Sequence, residues 1–278
     1  MSGRFVGTLD ASDRRSLRFT YDTGYAADPS STPLSVSMPL RVSPYSHATI
    51  HPYLWGLLPD NDRVLDRWAR ESGCSSSDIA GLMRSVGNDV AGAAQYIPAD
   101  ATPEESLHGD VQWLTEDDIA QFLRGLRRDS TSWRQHPEGR WSLAGAQPKL
   151  ALVYDPTADR WGIPTGASPT THILKAYAGG LPQQALNEHL SLALAREVGL
   201  AAARSEILMI GEQSVVAIER FDRRGPAPIR RVHQEDMCQA LGLPPGKKYQ
   251  GDGGPGIVRI VSLITRAESP TVSLDDVD

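Results

Sequence analysis

The sequence predicts an α+β fold in which a β-rich N-terminal subdomain precedes a mixed unit of strands and one helix, followed by a helical stretch. Three observations predict it. Leu17-Arg18-Phe19-Thr20-Tyr21 alternates with period two, as a half-buried strand does. Leu54, Leu57 and Leu58 recur three and four apart, the helical period. Residues 141–222 then read as short β-prone runs interrupted by one helix. At 278 residues the chain is long enough for two domains.

Taken in order, Phe5–Leu9, Leu17–Tyr21 and Leu34–Met38 are expected as strands, punctuated by Pro29, Pro33 and Pro39. A hairpin partner ahead of the first strand is expected and none is present. Helical spacing holds from Tyr53 to Ser72, where Asp60-Asn61-Asp62 caps a helix that turns Val64, Leu65 and Trp68 inward. A second helix is expected over Ser77–Val86, with Asp78 near its start and Gly87 ending it. A tight turn at Gly87–Ala94 leads to a strand at Gln95-Tyr96-Ile97, and the first subdomain closes at residue 98.

Residues 99–136 are expected to be a polar connector around one helix, Thr115–Arg127, opened by the capping-box pattern Thr115-Glu116-Asp117-Asp118. Asp129–Arg140 reads as mobile. The unit 137–222 holds a hairpin region at Trp141–Tyr154 and a turn at Pro164-Thr165-Gly166. It continues with a strand at Thr171–Lys175, a helix at Asn187–Val198, and strands at Ile207–Ile210 and Val215–Glu219. Residues 223–278 are expected to begin a larger lobe, with helices over Arg231–Leu241 and Ile257–Leu263.

Net charge of -6 gives no general attraction to nucleic acid. Cys74 and Cys238 form no CxxC, which argues against a disulfide framework or zinc ribbon and fits a reducing cytoplasm. The N-terminus has no apolar signal region and no run of eighteen apolar residues occurs, so a soluble, non-secreted, non-membrane protein is expected.

The chemistry gathers at Ser142-Leu143-Ala144-Gly145-Ala146-Gln147-Pro148-Lys149. Gly145 lets backbone approach a ligand, and Ala144 and Ala146 add no bulk. A loop of this kind feeding a strand can cradle phosphate on its amides, although a plain turn remains the competing account, since no GxxxxGK[ST] is present. Lys175 ends an apolar run. If buried it needs an anionic partner; an edge lysine reaching water is the alternative. Glu188 shares a helix face with Leu192 and Ala195 and can point inward to supply that partner, or simply sit at the helix N-terminus. A strand lysine paired with a helix glutamate is how protein kinases fix the α- and β-phosphates.

Glu219-Arg220-Phe221-Asp222-Arg223 closes a strand where a two-lobed kinase has its adenine hinge; a surface salt-bridge cluster is the alternative. Ser142 is either a turn serine or a phosphoacceptor whose modification would remodel the loop. His233 and Cys238 lack further ligands and read as packing, and Asp275, Asp276 and Asp278 read as a solvated tail.

Together these segments resemble the HipA-type serine/threonine kinase toxins of bacterial toxin–antitoxin systems. So do Leu57-Leu58-Pro59-Asp60, Val86–Ala93, Pro169–Lys175, Asn187-Glu188, His233–Gln239, Lys248-Tyr249 and Gly253–Gly256. The resemblance implies a kinase-like small lobe with an ATP loop at Ala144, Gly145, Ala146, Gln147, Pro148 and Lys149, and a phosphate-contacting Lys175. It implies an adenine hinge at Glu219, Arg220 and Phe221, and autophosphorylation at Ser142 that ejects the loop. It also implies ATP and Mg²⁺ as cofactors, a helix-turn-helix antitoxin that links the protein to operator DNA, and targets in translation, chiefly aminoacyl-tRNA synthetases.

Kinase chemistry requires a catalytic-loop aspartate, an asparagine five residues later and a second magnesium aspartate. Asn61, Asn88 and Asn187 are the only asparagines, and none has an aspartate five residues ahead. The family's Asp-x-His-x-Lys-Asn signature is absent, so a C-terminally truncated form that does not transfer phosphate by itself is expected, with the Mg²⁺ site incomplete. The rival expectation is a non-catalytic nucleotide- or antitoxin-binding remnant.

Overall fold

The computed structural model describes residues 1, 3–12, 16–101, 108–133, 140–175, 177, 183–225 and 228–266. Strands β1 (Gly7–Asp10) and β2 (Arg18–Tyr21) form an antiparallel hairpin. The partner of the first strand thus follows it rather than preceding it. Gly7 is required there, because a Cβ would meet the Thr20 carbonyl oxygen at 2.2 Å. Helix α1 (Thr23–Ala27) follows at once, capped by the Asp22 carboxylate.

Leu34–Met38 is not a strand, contrary to its alternating pattern. Its polar backbone is held by side chains and a local turn: the Tyr21 hydroxyl accepts from the Leu34 N–H at 2.7 Å and donates to the Met38 carbonyl at 2.6 Å, the Val36 N–H donates to Glu235 Oε1 at 2.8 Å, and the Met38 N–H donates to the Ser35 carbonyl at 2.9 Å.

Helix α2 (His47–Trp55) starts six residues before the expected helical segment and contains Pro52. A proline there forfeits one internal hydrogen bond, which is why sequence spacing alone begins the segment at Tyr53. Helix α3 (Asp62–Glu71) buries Val64, Leu65, Trp68 and Ala69, and α4 (Ile79–Val86) is capped by Asp78. Gln95–Ile97 is not a strand; Tyr96 N–H instead donates to the Gly87 carbonyl at 2.9 Å and closes the turn on itself.

The stretch expected as a connector carries β3 (Val111–Trp113) and α5 (Glu116–Arg128), and neither is a spacer. They are followed by β4 (Leu150–Asp155), β5 (Arg160–Pro164), β6 (His172–Lys175), α6 (Gln184–Glu197), β7 (Ser205–Ile210) and β8 (Gln213–Glu219). The strands make one six-stranded antiparallel sheet in the order β3-β5-β4-β6-β8-β7. Helix α6 packs on β7 and β8, and α5 packs on β7. Of the stretch Asp129–Arg140, expected to be mobile, residues 134–139 lie outside the described residues; in the described part Trp133 is buried and meets Trp68 edge-on, at 6.4 Å between ring centres. Trp141 meets Trp68 in the same way, and one contiguous apolar core runs from Leu17 to Ala217 through both halves.

Beyond the sheet, β9 (Arg223–Arg224) pairs with β10 (Arg230–Arg231), so Arg231 does not open a helix. Only α7 (Met237–Ala240) is helical in the expected Arg231–Leu241 segment, held by a capping box between Asp236 and Gln239. The last helix among the described residues, α8, spans Ile257–Arg266. The acidic residues Asp275, Asp276 and Asp278 lie outside the described residues. The architecture is α+β with a kinase-like small lobe.

Candidate functional site

The pairing register fixes the site. Leu150 of β4 lies opposite Leu174 of β6, so the end of the 144–149 loop meets the end of the strand that carries Lys175. Lys175 Nζ donates to Glu188 Oε1 at 2.6 Å, and both side chains are mostly buried. Glu188 sits in α6, whose N-terminus is at Gln184 rather than Asn187, and so faces the sheet from the second turn. Its other oxygen accepts from the Tyr177 hydroxyl. Tyr177 carries no sequence signal beyond following a β-run. It fixes the carboxylate's rotation and leaves Lys175 held by one oxygen alone.

The loop is held from three sides. Lys149 is only 4% exposed, and its Nζ donates to the Ala144 carbonyl at 2.7 Å, closing the loop on itself. The ammonium also lies 4.3 Å from the centre of the Trp133 ring. Gly145 has φ +106°, a conformation that favours glycine, and a Cβ there would lie 2.9 Å from the flexible end of the Lys149 side chain. Gly145 N–H donates to Asp60 Oδ2 at 3.0 Å, and the Asp60 N–H donates back to the Gly145 carbonyl at 3.2 Å. Burial pushes the Lys149 ammonium down to about 7, helped by Lys175 and Lys248 and opposed by Asp60 and Glu188. The Lys149 and Lys175 ammoniums are thus near enough to repel one another. Ala146, Gln147 and Pro148 complete the loop, with Ala146 and Gln147 exposed.

Ser142 differs from a turn serine at the surface. It is fully buried, its hydroxyl donates to the Leu57 carbonyl at 2.8 Å, and its N–H donates to the Asp89 carbonyl at 3.0 Å. A phosphate cannot be added in this arrangement; the loop has to leave Leu57 first.

The Glu219–Arg223 segment is not a surface salt-bridge cluster, because Arg220, Asp222 and Arg223 are buried. The Arg220 guanidinium is buried and donates to Asp89 Oδ2 (3.0 Å), Asp222 Oδ1 (3.0 Å) and Oδ2 (2.7 Å), Thr170 Oγ1 (2.7 Å) and the Val90 carbonyl (3.0 Å). Arg223 reaches Asp89 Oδ1 at 2.7 Å and Asp222 Oδ2 at 2.9 Å, and Arg231 reaches Asp89 Oδ1 at 3.0 Å. Burial by itself would raise the Asp89 pKa; Arg220, Arg223 and Arg231 outweigh it and hold the carboxyl far below the usual range.

The main-chain N–H groups of Glu219 and Arg220 are already spent on the Arg204 and Thr171 carbonyls. Neither can donate to an adenine edge as placed. Glu219 and Phe221 are exposed, and Arg220 is buried between them.

His233 and Cys238 do not share a helix. His233 Nε2 faces the Leu34 carbonyl at 3.0 Å, and Cys238 is buried in α7. Among the described residues no group of three or more His, Cys, Asp or Glu side chains is placed to hold a metal ion.

A six-stranded antiparallel sheet, a lysine–glutamate pair and a loop closed on itself narrow the comparison with known proteins. Residues 141–277 match the model of the HipA-like C-terminal domain, and residues 1–97 match that of the HipA N-terminal domain. The chain belongs to the HipA family. It is 35% identical over 273 residues to the protein named "Putative kinase Y4mE" of Sinorhizobium fredii, covering 96% of this chain and 64% of that one. It is 30% identical over 277 residues to the serine/threonine-protein kinase toxin HipA of Shewanella oneidensis, covering 92% of this chain and 61% of that one. The fold is similar to that of HipA in the solved Shewanella oneidensis complex of HipA, HipB and operator DNA. There the TM-score is 0.72 at 30% identity, over 91% of this chain and 57% of the other. This HipA-family chain therefore spans less than two thirds of the length of these relatives.

Proposed function

We propose that this chain is the nucleotide-holding part of a HipA-family serine/threonine kinase, gripping the phosphates of ATP between the 144–149 loop and Lys175. The observation that carries the reading is the Lys175–Glu188 pair, set by strand register against the loop end. The residues fit a triphosphate: Lys149 and Lys175 supply positive charge, and Gly145 supplies a directed amide. Bound ATP would supply the transferable phosphoryl group. No residue described here is assigned to Mg²⁺. The sequence holds no Asp-x-His-x-Lys-Asn, so the 278 residues by themselves are proposed to bind without transferring phosphate.

Calorimetry tests this directly. ATP should bind the purified chain, and Lys175→Ala should weaken binding by about tenfold or more, the equivalent of losing roughly 1.4 kcal/mol. Unchanged affinity in Lys175→Ala would overturn the phosphate assignment. In a parallel assay with γ-labelled ATP, no label should pass to this chain or to a protein acceptor; turnover by the pure chain would refute the inactivity.

A helix-turn-helix antitoxin is the proposed partner, because the Shewanella HipA was solved with HipB and its operator DNA. With a net charge of -6, any approach to DNA would run through that partner. Targets in translation, such as aminoacyl-tRNA synthetases, and autophosphorylation of Ser142 stay with the family proposal, as does a cytoplasmic location. Among the described residues no helix is long and apolar enough to cross a membrane.

A further inference from the structure

The sequence gives Asp60 to the cap of α3, but the structure does not use it there. The Asn61 side chain accepts from the Arg63 N–H and caps the helix. The Asp60 carboxylate is left free to turn toward the loop. Its Oδ2 accepts from the Gly145 N–H at 3.0 Å and from Lys248 Nζ at 2.5 Å, and it lies close enough to Lys149 to raise that group's pKa. An oxygen anion of the protein thus rests on an amide and an ammonium, the donors that a phosphate oxygen would seek.

The charges around the loop support this. Lys149, Lys175 and Lys248 converge on the loop, while Asp60 and Glu188 oppose them. Glu188 is held by Lys175 and Tyr177, away from the Gly145 amide. Asp60 alone of the two carboxylates sits on that amide, and Gly145 is fixed in direction by its positive φ and by Lys149 above it.

We propose that Asp60 is a resident anion: it occupies the phosphate position of the 144–149 loop in the ligand-free chain and is displaced when a polyphosphate binds. The proposal rests on the nucleotide reading above. It makes Leu57–Asp60 of the N-terminal subdomain a latch, because Leu57 holds Ser142 and Asp60 holds Gly145. The anion that enters must break the Asp60 contact and inherits Lys248.

The test titrates inorganic tripolyphosphate and ATP into wild type, Asp60→Asn and Asp60→Ser, with thermal unfolding as a check on folding. A resident anion predicts that both variants bind tripolyphosphate more tightly, by about tenfold, because a like charge no longer opposes the ligand. A merely structural Asp60 predicts the opposite order: Asn, which keeps an acceptor, near wild type, and Ser weaker. Wild-type ATP binding with no gain in either variant overturns the resident anion and leaves the nucleotide reading intact. No binding of either ligand by any of the three proteins overturns both. Should one variant fail to fold, the other decides alone.

Discussion

Asp89→Ala lowers the unfolding free energy by about 3–5 kcal/mol, the loss typical when one partner of a buried ion pair is deleted. The side chain is about 4% exposed and serves three guanidiniums and the Thr170 hydroxyl and N–H at once. Removing it leaves Arg220, Arg223 and Arg231 against Asp222 alone, with at least one buried guanidinium uncompensated. Domains of this kind are stable by only about 5–15 kcal/mol, so the variant should be largely insoluble or shifted to a much lower urea midpoint. Asp100→Ala provides the comparison, since its 3.7 Å contact with Arg84 is exposed on both sides and should leave the midpoint nearly unmoved. A loss under about 1 kcal/mol in Asp89→Ala would mean that the buried cluster does not carry the stability assigned to it. The pH dependence has a definite sign. The folded-state pKa of Asp89 is depressed, so its contribution is present above the unfolded value and fades as pH falls toward the folded one.

That cluster shows what could not be read from order along the chain. Arg220, Asp222 and Arg223 stand together in sequence and invite a local reading as hinge or surface charges. Their meaning comes from Asp89, 131 residues away from Arg220. Buried charge needs a partner, but nothing in a single sequence says which distant aspartate provides it. The same holds for the loop. Its flexibility was legible in Ala144, Gly145 and Ala146, whereas its anchors at Leu57 and Asp60 lie 85 residues upstream. Asp60 was masked by its neighbours, because Asp60, Asn61 and Asp62 are all competent helix caps and only geometry separates them.

What was legible came from short-range pattern. Lys175 at the end of an apolar strand and Glu188 on an apolar helix face meet because strand and helix periods each fix where a side chain points. The capping box at Thr115 and Asp118 and the inward face of α3 follow from the same kind of rule. The elements that escaped are those with weak local signal. Strand β3 is three residues at a sheet edge, where pairing with β5 rather than alternation defines it. The Leu34–Met38 run alternates like a strand, yet the Tyr21 hydroxyl, the Glu235 carboxylate and a local turn satisfy its backbone in place of a ladder.

Lys149 should make the chain's stability rise with pH across the neutral-to-alkaline range, and Lys149→Met should abolish that rise. Its folded-state pKa lies near 7 against an ordinary 10.5, because the ammonium is buried beside Lys175 and Lys248, with Asp60 and Glu188 only partly offsetting them. Between those two values the unfolded chain binds one proton more than the folded chain, so unfolding grows costlier as pH increases. The slope contributed by this one group is at most about 1.4 kcal/mol per pH unit. Below about 7 the ammonium is charged in both states and its desolvation weighs fully against folding. There Lys149→Met should be the more stable protein, by an amount reduced through loss of the Ala144 hydrogen bond and the Trp133 contact. Urea midpoints from pH 6 to 9.5 read the difference; parallel profiles for the two proteins would show that Lys149 is not the titrating group. The same depressed group ties stability to binding. A polyphosphate seated at the loop favours the charged lysine, so tripolyphosphate titrated at pH 8 should draw a proton from solution. Calorimetry in two buffers of different ionisation enthalpy measures that uptake, and it should vanish in Lys149→Met.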